Sequence, residues 1–393
     1  MNAFFASIEQ HDHMELRGKP VGVTNGLTGT CIITASYEAR AYGIKTGTRV
    51  KEARRLCPDF IQLPARPKRY AEVSTAIMDA MQAFTPDVEI FSVDECFLDI
   101  TRCQGIADPV TTAHRVEECV YNVSGLHCSI GLSGDKTTAK YAAKLDKPNG
   151  FTVIPPWEAK ERLRDVPVTD LCGINKGIGS FLAARGVHVC GDMAKLPISV
   201  LGQHFGNPGR RIWYMCQGRD PEPVTTNIPP PKTIGHGKVL PPDTHDREVL
   251  EIYLSHMSEK VALRLRANQL EAQVFAIGVR AVLGWITKKY RTTLPTQHGP
   301  AIMALCKKHL TMEWNREGIF QVQITALDPR MVNTQVDMFA EPAEKQHAVD
   351  AAVDDINNRW GEFTISPAKL LRRSDMPNVI SPAWKPYGHR QTI

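Results

Sequence analysis

The sequence predicts a multidomain α+β protein, and three observations carry that prediction. Segments with strand-like and helix-like periodicity interleave up to about residue 160. Pro229-Pro230-Pro231 then marks an extended linker. Beyond it a second set of helices and strands begins, and 393 residues suffice for two to four domains with cores of their own.

Ala3 to Glu9 reads as the end of a buried strand running into a helix, with no glycine-rich phosphate loop behind it. Glu38 to Ala53 is helical with turns at Gly43 and Gly47, and Lys68 to Phe84 repeats apolar residues at helical spacing. Val88–Val93 and Cys96–Ile100 form two strand-like runs separated only by Asp94-Glu95, the pattern of a β-hairpin with two carboxylates at its tip. A helix over Pro109–Ser124, a strand over His127–Leu132 and a helix over Lys136–Lys144 follow, before the turn Lys147-Pro148-Asn149-Gly150. Pro167 to Pro221 reads as short helices joined by glycine turns. After the linker, Arg247–Arg266 is a long amphipathic helix, and strands at Ala272–Ala281 and Ile319–Ala326 flank a helix near Pro300–Leu310. A last helix is expected over His347–Trp360, before a polar, basic end at Trp384–Arg390.

Bulk charge decides little, because Lys+Arg exceed Asp+Glu by only 47 − 42 = +5. Its distribution says more: between Val279 and Arg316 seven Lys/Arg face one acid, Glu313, a local excess of +6. Such a stretch is either a footprint for a polyanion or a solvated charged face. Ten cysteines lie scattered with no C-x-x-C pair and no metal-ligand spacing, which suits reduced thiols in the cytoplasm. No apolar run nears the roughly 20 residues that span a bilayer, and the N-terminus has no signal-peptide layout.

Adjacent acids are common and mostly solvated, yet at a hairpin tip both can turn toward one metal. Mg²⁺ takes hard oxygen ligands, usually one or two carboxylates plus substrate phosphates, and two such ions can serve an in-line phosphoryl transfer. Met1–Glu9, Tyr37-Glu38-Ala39-Arg40, Ser92–Asp99 and Lys147–Gly150 resemble the motifs of the Y family of translesion DNA polymerases, in order and at family spacing. Gly131–Lys136 and Ala139-Lys140 extend the resemblance, which covers about residues 1 to 330.

The resemblance implies a right-hand fold: palm at 1–10 and 68–160, fingers at 11–67, helix–hairpin–helix thumb at 161–225, linker at 226–232 and little finger at 233–330. Residues 331–393 would hold a clamp-binding motif and a tail. It makes Asp94 and Glu95 the catalytic metal ligands for two Mg²⁺ ions, with the Met1 backbone carbonyl beside them. Phe5 falls at the steric gate, where a flat ring leaves no room for a 2′-hydroxyl; read alone it is ordinary core. Tyr37, Arg40 and Lys147 match the groups that hold the triphosphate, Arg through a planar fork and Lys as a point charge. Gly173, Gly177 and Gly179 match the thumb hairpin that approaches a DNA phosphate, and Lys288, Lys289 and Arg291 would touch DNA by charge rather than base identity. Gln335, Met338 and Phe339 resemble the peptide by which bacterial polymerases bind the sliding clamp, with the last two as apolar anchors.

The implied activity is low-fidelity, template-directed addition of dNTPs to a primer in primer-template DNA, by a cytoplasmic monomer without a membrane anchor. The family pattern places a metal-binding Asp immediately before the residue aligned with Met1. The expectation is therefore that the true start lies upstream, and that a chain starting at Met1 binds Mg²⁺ weakly and polymerises poorly. The alternative is a catalytically inactive Y-family accessory protein that binds DNA and the clamp.

Overall fold

Ala3 adopts a left-handed conformation (φ 46°) and turns the entry segment into helix α1 (Phe4–Asp12), whose Phe4, Phe5, Ala6 and Ile8 are buried. This computed structural model describes residues 1–27, 31–103, 108–332, 344–372 and 384–386. The chain divides into two compact units, Met1–Ile228 with Met376–Ile393, and Pro229–Asp375.

In the first unit, β1 (Val21–Thr24), β2 (Ile32–Ala35), α2 (Tyr37–Ala41), α3 (Val50–Leu56) and β3 (Ile61–Pro64) follow α1. The strands form a sheet in the order β2-β1-β3, antiparallel then parallel. Sequence periodicity does not reveal these strands: four residues are too few to distinguish alternation from a short apolar run. Next come α4 (Pro67–Met81), β4 (Val88–Ser92), β5 (Glu95–Leu98), α5 (Pro109–Ser124), β6 (Ile130–Ser133), α6 (Lys136–Leu145) and β7 (Phe151–Ile154). β4 and β5 pair antiparallel and β6 and β7 parallel, as two separate two-stranded sheets. The hairpin turns at Val93-Asp94, so Glu95 already belongs to β5. The expected strand from His127 begins only at Ile130. Short helices α7 (Ala159–Leu163), α8 (Lys176–Ala183), α9 (Ile198–Phe205) and α10 (Asn207–Met215) share a core around Leu163, Leu182, Met193 and Leu201.

The second unit contains β8 (Ile234–Thr244), α11 (Arg247–Ala267), β9 (Leu270–Ala281), β10 (Gly284–Thr296), α12 (Gly299–Met312), β11 (Ile319–Ala326), β12 (Arg330–Met331) and α13 (Glu344–Trp360). Strands run in the order β10-β9-β11-β8, and α11 and α12 share with them a core that includes Leu250, Leu254, Phe275 and Ile302. α13 is fastened by Asp354, which accepts from Arg266 Nε and Nη2 at 2.6 and 2.7 Å, and by Asp350 at 3.1 Å from His298.

Buried cationic and titratable groups gather where β8 meets α11: His236, Lys238, His256 and Lys260 are all under a tenth exposed. Burial, reinforced by the charges of Arg264, Lys260, His256 and Lys238, pushes the His236 imidazole down to about 3. An unfolded imidazole takes up its proton near pH 6.5, so the folded unit keeps this contribution above that pH and loses it as pH falls toward 3. From about pH 7.5 to about pH 5 the loss is roughly 2 kcal/mol. Hydrogen exchange over residues 229–375 should show the fall, and His236→Leu should flatten it; an unchanged slope in that variant would contradict this source.

Candidate active site

The hairpin β4–β5 brings its two acids together through one hydroxyl. Ser92 Oγ lies 3.1 Å from both Asp94 Oδ1 and Glu95 Oε2. The tip is braced from behind, where buried Ser74 of α4 donates its hydroxyl to the Val93 carbonyl. The Met1 nitrogen donates to the Asp94 carbonyl at 2.8 Å, which ties the entry segment to the tip. Lys147 Nζ reaches the Met1 carbonyl oxygen at 3.5 Å.

Helix α6 supports this group from one side. Asp135 caps it by accepting from Thr138 N at 2.9 Å. Gly131 of β6 lets it pack closely, since a Cβ there would sit 2.0 Å from the Ala139 carbonyl. One turn apart on α6, Lys136 and Lys140 meet two acids of the hairpin. Lys136 pairs with Glu89 at 2.7 Å, while Lys140 pairs with Glu95 and lies 4.6 Å from the Phe91 ring centre. Burial alone would raise the Glu95 carboxyl. The charge and hydrogen bond of Lys140 and the Ser92 hydroxyl outweigh it and hold Glu95 below the usual carboxylate range.

Among the described residues no three His, Cys, Asp or Glu side chains converge as a metal cluster. The donors at the tip are two carboxylates and a main-chain carbonyl. That set fits a hard divalent cation whose remaining positions are filled by water and substrate phosphate. A cavity of about 420 Å³ opens beside it, and its lining includes Met1, Asp94, Glu95, Ile130, Gly131 and Lys140.

Phe5 is buried and stacks on Tyr70 of α4, with ring centres 4.4 Å apart and planes at 16°. Tyr70 in turn donates to Glu9 Oε1 at 2.6 Å, and Glu9 accepts from Arg66 Nε at 2.9 Å. Burial, then the Glu9 contact, pushes the Tyr70 phenol well above its ordinary range, so it stays a donor. Tyr37 packs against the same core as Phe5 and Met1. Its hydroxyl is buried and has no hydrogen-bond partner among the described residues, a state that costs about 1–3 kcal/mol unless a ligand completes it. Arg40 lies 4.7 Å from the centre of the Tyr37 ring and gives Nε to the Ala35 carbonyl at 3.0 Å. Lys147 opens a turn in which Asn149 has φ 60°, and a Cβ on Gly150 would fall 1.7 Å from the Asp146 carbonyl.

The expected DNA-contact residues separate. Gly173 is exposed with φ 91° and Gly177 is exposed, whereas Gly179 is buried against Thr169 and serves packing. On β10, alternation sends neighbouring side chains to opposite faces. Tyr290 is buried toward the helices, and Lys288 shares its parity and pairs with Glu313 at 2.6 Å. Lys289 and Arg291 share the other face and are exposed, as is Arg280 on β9. Gln335, Met338 and Phe339 lie outside the described residues. A cleft of about 720 Å³ separates Phe91 and Phe97 of the hairpin from Arg210, Arg211 and Tyr214 of α10. Sequence reasoning did not single out Ser92, Tyr70 or Asn2, and gave Lys140 no role. The partners of Tyr70, Asn2 and Lys140 lie tens of residues away, while Ser92, two and three residues from its acids, reads as one more strand residue.

Comparison with known proteins bears on the family and the fold. The impB/mucB/samB family pattern matches residues 1–144, and its C-terminal domain matches residues 231–338. The DNA polymerase IV of Moorella thermoacetica is 36% identical over 382 residues, which cover 94% of each chain. That of Pelotomaculum thermopropionicum is 30% identical, covering 95% of this chain and 96% of the relative. The fold superposes on a Y-family DNA polymerase chimera, Dbh-Dpo4(243-245)-Dbh, with a TM-score of 0.73 at 23% identity, over 84% of this chain and 98% of that one. With two patterns in order and full-length relatives, the chain belongs to the impB/mucB/samB family of Y-family, translesion DNA polymerases.

Proposed function

We propose that this DNA-directed DNA polymerase extends primed DNA at the β4–β5 tip, with Asp94, Glu95 and the Met1 carbonyl holding Mg²⁺, two ions in the working complex. Family membership carries dependence on a divalent metal; the choice of Mg²⁺ rests on the all-oxygen donor set. Bound metal would make the primer 3′-hydroxyl a better nucleophile and offset charge on the triphosphate. The primer oxygen would form a bond to the α-phosphorus as its proton passes to water, the bond from the α-phosphorus to the oxygen bridging to the β-phosphate would break, and pyrophosphate would leave. Tyr37 would donate its unpaired hydroxyl to the triphosphate, Arg40 and Lys147 would balance its charge, and Phe5 would exclude a 2′-hydroxyl.

The single observation that carries this reading is the convergence of Asp94 and Glu95 on Ser92 beside the Met1 carbonyl and Lys147. Its test is extension of a primed template with chelator, then with Mg²⁺ restored. Activity that survives chelation would contradict it.

The palm, fingers, thumb and little finger are proposed at the boundaries given above. In that arrangement the exposed face of β9 and β10 follows the DNA backbone. Lys289→Ala should then weaken primed-DNA binding and lower the salt slope by about 1, while Lys288→Ala leaves both unchanged. Equal effects from the two would refute the assignment of faces. The peptide Gln335–Phe339 is proposed to bind the sliding clamp. Deleting Met338 and Phe339 should abolish clamp-stimulated synthesis and spare basal synthesis; equal loss of both would count against that role. A cytoplasmic setting is proposed from ten free cysteines, together with action as a monomer. No helix among the described residues is long and apolar enough to cross a membrane.

A further inference from the structure

Asn2 stands one residue from the Met1 carbonyl, is only 5% exposed and makes three side-chain hydrogen bonds. Its amide nitrogen donates to Asn149 Oδ1 at 2.8 Å and to the His127 carbonyl at 3.4 Å. Its amide oxygen accepts from Ser129 Oγ at 2.9 Å, and Ser129 Oγ accepts from Gly150 N at 3.3 Å. Its own carbonyl accepts from Ser7 of α1 at 2.6 Å. One side chain thus joins the entry segment to the start of β6 and to the turn that begins with Lys147.

We propose that Asn2, acting with Ser129 and Asn149, is a positioning clasp that fixes the Lys147 turn against the entry segment, and so sets the placement of the Lys147 ammonium on the incoming nucleotide's phosphates. This rests on the reading that Lys147 holds the triphosphate. The physical need is plain. Lys147 is exposed on a flexible stem, and a long side chain gives up rotamer freedom when fixed. If its backbone also moved, an ammonium acting as a point charge would lose its register with the phosphates. The left-handed Asn149 (φ 60°) presents its carboxamide to Asn2, and Gly150 lets the chain pass close behind. Asn2 touches neither the reacting atoms nor the carboxylates, so it acts through Lys147.

The clasp therefore predicts a nucleotide-binding defect rather than a chemical one. The experiment measures dNTP affinity of the enzyme on primed DNA whose primer ends in a dideoxynucleotide, so that no turnover occurs. A fluorescent base next to the templating position reports binding. Asn2→Ala and the surface variant Asn149→Ala should each weaken dNTP binding about tenfold while binding primed DNA as the parent does. Lys147→Ala should weaken it at least as much, and Asn2→Ala combined with Lys147→Ala should be no weaker than Lys147→Ala alone. Additive losses would overturn the clasp, because Asn2 would then act independently of Lys147. So would parent-like dNTP affinity in both Asn2→Ala and Asn149→Ala when Lys147→Ala is impaired. Parent-like affinity in Lys147→Ala would instead remove the phosphate role of Lys147, and the clasp with it.

Discussion

Asp94→Asn is expected to slow single-nucleotide extension by roughly 10³-fold, with primed-DNA binding nearly unchanged. The substitution is almost isosteric and retains an oxygen for the Ser92 hydroxyl, which lies 3.1 Å from Oδ1. It removes the negative charge that a divalent cation needs, and loss of one preorganised electrostatic contact at a reacting centre commonly costs about 10²–10³-fold. Two features place the effect at the upper end. Asp94 is one of two carboxylates at the tip among the described residues, and its neighbour Glu95 is already engaged by Lys140. Glu95→Gln should be comparably slow. It should also be less stable, since Lys140 would lose its carboxylate partner; thermal unfolding beside the rate separates the two effects. A fall of less than about tenfold in Asp94→Asn would mean that the chemistry lies elsewhere.

Phe5→Ala is expected to lower discrimination between deoxy- and ribonucleotides by about 100-fold, chiefly through faster ribonucleotide insertion. A steric device works only if its ring cannot retreat, and here the ring rests on Tyr70 at 4.4 Å, which is itself pinned by Glu9 and Arg66. Removing the support should therefore also matter. Stacked pairs contribute about 0.5–1.5 kcal/mol, so Tyr70→Leu should relax sugar selectivity by up to about tenfold. Tyr70→Phe keeps the stack and loses the bond to Glu9, so it should retain most of the selectivity. The measurement is the ratio of kcat/KM for a dNTP and its matching rNTP. If Phe5→Ala leaves that ratio unchanged, Phe5 is core and not a gate.

The legible parts of this protein are those whose information is local. Asp94-Glu95 between two strand-like runs, the Lys147–Gly150 turn and the long periodic helix at Arg247–Ala267 can each be read within a short window. The strands β1–β3 could not, because four residues carry too little alternation. The basic stretch from Val279 to Arg316 misleads when read as one surface. It spans two strands and a helix, and strand parity sends Lys288 to Glu313 while Lys289 stays exposed. The site was legible as a set of ligands and not as a supported structure. Ser92 shows how one hydroxyl gathers two acids, yet it reads in sequence as one more strand residue. Lys140 lies 45 positions from Glu95, Tyr70 lies 61 from Glu9, and Asn2 lies 147 from Asn149. Pairings at that separation are set by the fold, and one sequence holds no trace of them.

Template-directed synthesis at the β4–β5 tip is tested most directly by single-nucleotide insertion with Mg²⁺ on four primed templates that differ only in the templating base. Each dNTP would be offered separately, to the parent and to Asp94→Asn. The parent should add chiefly the complementary nucleotide on each template, with measurable misinsertion, and Asp94→Asn should add almost none. A parent that binds the primed DNA and extends none of the four, whether made from Met1 or extended upstream through its reading frame, would contradict such synthesis and leave an accessory, DNA-binding role in its place.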